Sequence, residues 1–128
     1  MEPREYEIMY RAEQCHWWYQ GMAAITRNIL DVFYAPGSGL AILDAGCGTG
    51  AGLLFLSQYG SVTGLDISSY ALRFCAGRGC TEVVGASVMA LPFRDETFDL
   101  VTSFDILYFE GIHDETALKE TARVLRPG

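Results

Sequence analysis

Leu40-Ala41-Ile42-Leu43-Asp44-Ala45-Gly46-Cys47-Gly48-Thr49-Gly50-Ala51-Gly52 is the stretch that decides the fold. Leu40 to Leu43 is a short apolar run of the length of a buried strand. Asp44 stands at its carboxyl end. Glycines follow at alternate positions, Gly46, Gly48 and Gly50, and then Leu53, Leu54, Phe55 and Leu56 open a helical segment. Strand, glycine turn, helix is the start of a nucleotide-binding βαβ unit. Glycine lets the backbone turn tightly and approach a ligand where a Cβ would collide. The helix start behind it offers free N–H groups and the positive end of a dipole.

Two ligand classes use such a turn. Gly46-x-Gly48-x-x-Ala51 satisfies the dinucleotide pattern, in which a pyrophosphate sits at the helix start. An acidic residue two positions before the first glycine does not help a pyrophosphate. LDAGCGTG, with Asp44 before Gly46-x-Gly48-x-Gly50, closely resembles motif I of the class I S-adenosylmethionine-dependent methyltransferases. That cofactor has no phosphate, and its methionyl ammonium is a partner for a carboxylate.

The 128 residues suit one core, and the 50% apolar content is enough to fill it. A net charge of −7 and a pI near 4.6 argue against nucleic acid or anionic membrane as partners. No apolar run approaches a membrane span, and MEPREYEIMYR does not read as a signal peptide. Cys15, Cys47, Cys75 and Cys80 show no CxxC spacing. Reduced thiols in a cytoplasmic protein are expected, with Cys47 a packing residue inside the turn. No metal-ligating set is expected.

Residues 1–39 are expected to form a helical cap or lid. Tyr6, Met9, Tyr10 and Glu13 recur at roughly helical spacing. Trp18, Met22, Ile25, Ile29 and Val32 predict one apolar face of a second helix, with Arg27, Asn28 and Asp31 off it. Pro36-Gly37-Ser38-Gly39 ends that helix. His16-Trp17-Trp18-Tyr19 has two readings: Trp18 packs while Trp17 covers a neighbouring loop, or the segment closes over the ligand as an aromatic lid.

Residues 40–128 are expected to be a Rossmann-like domain: an α/β, doubly wound parallel sheet with helices on both faces. After a helix over 53–59, residues 61–66 predict a second strand ending in Asp66. Asp66 lies 20 positions after Gly46, the spacing at which a carboxylate accepts ribose hydroxyls. Ile67 follows as a candidate adenine platform. Ser68 or Ser69 caps a helix to about Gly77, 81–84 is a short third strand, and 98–104 is a fourth. Asp114 starts a last helix with Leu118, Ala122 and Leu125 inward.

The run LPFRDETFDLVTSFDIL, residues 91–107, resembles the second signature of the same methyltransferases, and RVLRPG, residues 123–128, resembles the motif before their fifth strand. The family fold normally continues for three more strands. The expectation is therefore a fragment of a longer protein, or a chain that needs a partner, such as a second copy, along an open edge beside the fourth strand.

The resemblance implies S-adenosylmethionine as cofactor, with Asp44, Gly46, Cys47, Gly48 and Gly50 lining its methionyl part. It implies Asp66 on the ribose, Ile67 and Val88 at the adenine, and Phe104 near the transferred methyl. The family often has an Asp that bonds the adenine amino group where this chain has Ser87. Many relatives read V-L-E-H where this chain reads Ile106-Leu107-Tyr108-Phe109, so no histidine stands at that base position. His113 reads as a cap or surface residue, and no catalytic base is named. The function implied is methyl transfer to an O, N or C acceptor of a small molecule. Set against it are a nicotinamide-dinucleotide oxidoreductase domain, which has no reason to carry the LPF…FD run, and a noncatalytic cofactor-binding fragment.

Overall fold

A computed structural model describes residues 2–104 and 113–128. Two N-terminal helices, α1 (Pro3–Cys15) and α2 (Trp17–Phe33), precede β1 (Leu40–Ala45), α3 (Ala51–Leu56), β2 (Gly60–Asp66) and α4 (Ser69–Gly77). Then come β3 (Val83–Gly85), β4 (Leu100–Thr102) and α5 (Asp114–Val124). The four strands form one sheet in the order β3-β2-β1-β4, and every pairing is parallel. The expected doubly wound α/β sheet is therefore the observed one. The chain leaves β1 for β2 and β3 on one side, then crosses to β4 on the other. That places the switch point, where open parallel sheets bind ligands, at the carboxyl end of β1.

Alternation along β1 builds both cores. Ile42 joins Leu30, Leu56 and Tyr59 under α2 and α3. Leu43 and Ala45 join Leu65, Val88, Leu91, Phe98, Ala117 and Val124 under α5 on the other face. Tyr59 lies just beyond α3, ending that helix earlier than its apolar run suggests. Its hydroxyl donates to Asp31 Oδ1 at 2.6 Å, tying α2 to the sheet. None of the described helices is long and apolar enough to cross a membrane.

The turn from Leu91 to Thr97 has a clear physical basis. Arg123 donates to the carbonyls of Leu91 (2.9 Å) and Phe93 (2.7 Å) and pairs with Asp95 and Glu120. Asp99 Oδ2 accepts from the Ala41 amide at 2.9 Å, and its Oδ1 accepts from Arg126 at 2.9 Å. These bonds hold the Asp99 carboxyl below its ordinary range, the Ala41 amide contributing most. The two late motifs of the sequence thus fasten each other.

Three expectations about faces and edges are corrected. The apolar stripe read on α2 points outward: Ile25, Ile29 and Val32 are exposed. The face turned to the protein carries Ala23, Thr26, Arg27 and Leu30, with the Arg27 guanidinium 5.9 Å from the Phe55 ring centre. On α5 the inward residues are Ala117 and Val124, while Leu118 and Ala122 are exposed. The open side of the fourth strand is not bare throughout, because Phe98 forms a parallel bridge with Leu125.

Candidate functional site

The glycine turn lies where β1 ends. Gly46, Gly48 and Gly50 all have positive φ, 83°, 54° and 94°, which explains three glycines where a plain turn needs fewer. The amides of Gly46 and Cys47 donate to Leu65 O at 2.7 and 2.9 Å, fastening the turn to the end of β2. Asp66 completes that fastening. Its Oδ2 accepts from the Gly48 amide and its Oδ1 from the Ser68 amide, both at 2.9 Å. Ser68 in turn caps α4, accepting from the Ala71 amide at 3.4 Å. A carboxylate oxygen has a second lone pair, so Asp66 keeps acceptor capacity for a diol. Beside it Ile67 is 79% exposed, a bare apolar surface at the mouth of the turn.

Asp44 is a buried acid of the site, 1% exposed. Its Oδ1 accepts from the Thr102 hydroxyl at 3.0 Å. Its Oδ2 would stand 2.8 Å from a Cβ at position 52, so Gly52 makes room for it. Burial pushes the Asp44 carboxyl up to about 7; Thr102 opposes this and the charge of Asp66 adds to it. Phe104 lies on the same side, with Cε2 3.7 Å from that Gly52 position and its ring 6.3 Å from Phe55. A buried carboxylate and an aromatic wall at one strand end suit a cationic ligand group, whose arrival would ionise the acid.

Cys47 is buried against Leu53 and Cys75, with the two sulfurs 3.9 Å apart. The hydrogen bond with Cys75, followed by burial, pushes the Cys47 thiol up, so Cys47 behaves as a packed neutral group. The Ser87 hydroxyl oxygen accepts from the Met89 amide at 3.1 Å. Val88 is buried in the α5-side core and has little surface to offer an adenine ring. His113 is the exposed N-cap residue of α5, its amide 3.2 Å from Met89 Sδ. Phe109 lies outside the described residues.

The aromatic group His16-Trp17-Trp18-Tyr19 sits at the α1–α2 junction. His16 Nδ1 accepts from the Trp18 amide at 3.2 Å as the N-cap of α2. Trp17 and Trp18 are 72% and 48% exposed, so Trp18 is not the packed residue of the plainer reading. What covers the turn is α1: Met9 Cε lies 3.2 Å from where a Gly48 Cβ would stand.

Sequence reasoning did not single out Gly52 and Thr102 beside Asp44, nor Glu13. Glu13 Oε1 accepts from the Thr49 hydroxyl, and Oε2 accepts from the Ala51 amide at 3.2 Å. Arg78 Nη2 lies 3.9 Å from Glu13 Oε1. Burial drives the Glu13 carboxyl up to about 7 against the pull of Arg78. Its place on the Tyr6–Met9–Tyr10 face was visible, but a polar residue on an apolar face was the only signal.

A family model described as a methyltransferase domain matches residues 43–128. A tRNA (carboxymethyluridine(34)-5-O)-methyltransferase of Arabidopsis thaliana is 37% identical over 93 residues, 71% of this chain and 22% of that protein. A fatty-acid O-methyltransferase of Mycolicibacterium smegmatis is 36% identical over 96 residues, 70% of this chain and 35% of that protein. A solved methyltransferase structure from Methanococcus maripaludis superposes on 99% of this chain and 60% of its own, with TM-score 0.80 at 23% identity; that likeness shows the fold. The chain belongs to the class I S-adenosylmethionine-dependent methyltransferases, and S-adenosylmethionine is the cofactor that goes with that membership. The dinucleotide reading falls. The chain spans about a fifth to a half of the length of the curated relatives it matches.

The residues present fit that cofactor. Asp44 offers a buried acid for the ammonium, Asp66 has free acceptor capacity for a ribose diol, and Ile67 presents a bare face to a base.

Proposed function

We propose that this chain is the cofactor-binding part of an enzyme that methylates an O, N or C atom of a small molecule. The observation that carries the site is the convergence of Asp44, Gly52 and Phe104 at the end of β1. When bound, S-adenosylmethionine supplies a methyl group already activated on sulfonium. Asp44 would hold the ammonium, Asp66 the ribose and Ile67 the adenine, while Phe104 excludes water from the methyl end. Alignment of acceptor and methyl in a dry site can then supply much of the rate without a general base.

The small-molecule reading rests on charge. Acids outnumber Lys and Arg by 16 to 9, and Arg78, Arg123 and Arg126 are spent on contacts within the chain. A second reading, an RNA acceptor, draws on the activity printed for the Arabidopsis relative. Calorimetry with S-adenosylhomocysteine against NAD tests the site, and NAD binding without S-adenosylhomocysteine binding would overturn it. Methyl-labelled cofactor given to the full-length protein with carboxylic acids, amines, phenols or bulk tRNA tests the acceptor. Label in RNA alone would overturn the small-molecule reading.

A further inference from the structure

We propose that Glu13, on α1 and outside the family-matched segment, is a positioning residue for cofactor binding. It holds the second half of the glycine turn in the shape that receives the cofactor, so the proposal rests on the cofactor site described above.

Gly50 is the N-cap of α3 and has no side chain with which to cap it. Glycine is needed there: φ is 94°, and a Cβ would stand 3.0 Å from Cys75 Sγ. The turn therefore gives up the Ser, Thr, Asp or Asn that usually satisfies the first amides of a helix. Glu13 supplies the missing acceptor from a different helix, taking the Ala51 amide on one oxygen and the Thr49 hydroxyl on the other. Arg78, the C-cap residue of α4, holds the same part of the turn, donating from Nε to Thr49 O at 2.9 Å. Arg78 also donates to Tyr10 O at 3.3 Å and lies 4.3 Å above the Tyr10 ring. The Glu13 and Arg78 side chains are only 7% and 8% exposed.

A buried carboxylate is a costly cap, and its placement is selective. The first half of the turn, Gly46 to Gly48, is held by Leu65 and Asp66 without it. Thr49 to Ala51 are held by Glu13 and Arg78. The hydrogen bonds that Glu13 accepts come from Thr49 and Ala51, so its loss releases the back of the turn. Its effect belongs in cofactor affinity.

The test is titration calorimetry with S-adenosylhomocysteine beside thermal melting, on wild type, Glu13→Ala and Glu13→Gln. Tyr59→Phe serves as a control, because it breaks the α2 tie to Asp31 and is remote from the turn. Glu13→Ala is expected to raise Kd roughly tenfold, the scale of a lost charge-assisted hydrogen bond. Glu13→Gln recovers part of that, since its carboxamide oxygen still accepts from Ala51. Tyr59→Phe lowers Tm but leaves Kd within about twofold. A Kd for Glu13→Ala within about twofold of wild type overturns the proposal, as does a rise in Kd that Tyr59→Phe matches at equal loss of Tm. If Glu13→Ala does not fold, Glu13→Gln decides: wild-type Kd overturns the proposal, and a weaker Kd at wild-type Tm supports it. A wild type that binds no S-adenosylhomocysteine fails earlier, and it overturns the site reading itself.

Discussion

Asp66 has a structural role beside the one its sequence position implies. The spacing from the glycines pointed to a ribose ligand, and the structure also makes it a bracket between the Gly48 and Ser68 amides. Asp66→Ala should therefore cost cofactor affinity and stability together. Loss of a charge-assisted contact of ~1.5–3 kcal/mol raises Kd about tenfold or more, and Tm falls because two backbone donors lose their acceptor. A lowered Tm with unchanged Kd for S-adenosylhomocysteine would leave Asp66 only its bracketing role. Asp44 carries a pH signature. Its carboxyl is raised from 3.8 to about 7 by burial, so the folded chain holds a proton that the unfolded chain has already lost. This contribution to stability is unfavourable once pH exceeds the unfolded value, and it grows until the folded value is passed. Glu13, raised from 4.5 to about 7, acts in the same direction. The cofactor-free chain should lose stability as pH rises from about 4 to about 7. An ammonium beside Asp44 reverses the preference, so binding near pH 6 should release protons. Calorimetry in two buffers of different ionisation enthalpy measures that release, and Asp44→Asn should remove most of it. Equal release from Asp44→Asn would place the proton elsewhere. The glycine turn and the two acids at the strand ends were legible as structure because their pattern is local to β1, α3 and β2. Glu13 was not, because its partner Thr49 lies 36 residues away.

Elements with hydrogen-bonded ladders were legible from local pattern, and the phases of the helices were not. α2 has apolar residues on both sides, so periodicity could not choose between the Ile25–Ile29 stripe and the Ala23–Leu30 stripe. The sheet chose the side with the smaller residues, where Arg27 and Asp31 could meet Phe55 and Tyr59. α5 shows the same preference. Ala117 and Val124 let the helix settle close over Leu65, Val88 and Phe98, while the bulkier Leu118 is left outside. Phe98 is the hinge of that packing, since its ring meets Phe93 edge-on at 5.0 Å and its backbone bridges to Leu125. Phe98→Ala should destabilise the chain by about 3–5 kcal/mol, as for other fully packed aromatics. Leu118→Ala, exposed on the same helix, should cost far less. Urea denaturation of the two variants measures the contrast, and equal losses would restore the inward phase read from the sequence.

At the scale of the whole molecule, two features of the described residues bear on association. One is the outer face of α2 and its flanks, with Trp17, Ile25, Ile29, Val32 and Phe33 exposed. The other is β4, the last strand of the sheet, which among the described residues pairs with β1 on one side, while Phe98 just before it bridges to Leu125. The first is an apolar helix face of a kind monomers seldom present. The second offers unpaired strand groups to any matching edge. Net charge opposes association, because −7 on 128 residues gives each copy a repulsive field. That repulsion is screened over about 8 Å at physiological salt, whereas apolar burial is not weakened by salt. The 128-residue chain should therefore self-associate, and more so as salt rises. Light scattering across a concentration series at low and high salt measures this. Ile29→Glu with Val32→Lys breaks the α2 face without touching the turn, so it should restore a monomer that still binds S-adenosylhomocysteine. If the double variant associates as strongly as wild type, the β4 edge is the contact. If wild type stays monomeric at high salt, neither the α2 face nor the β4 edge drives association.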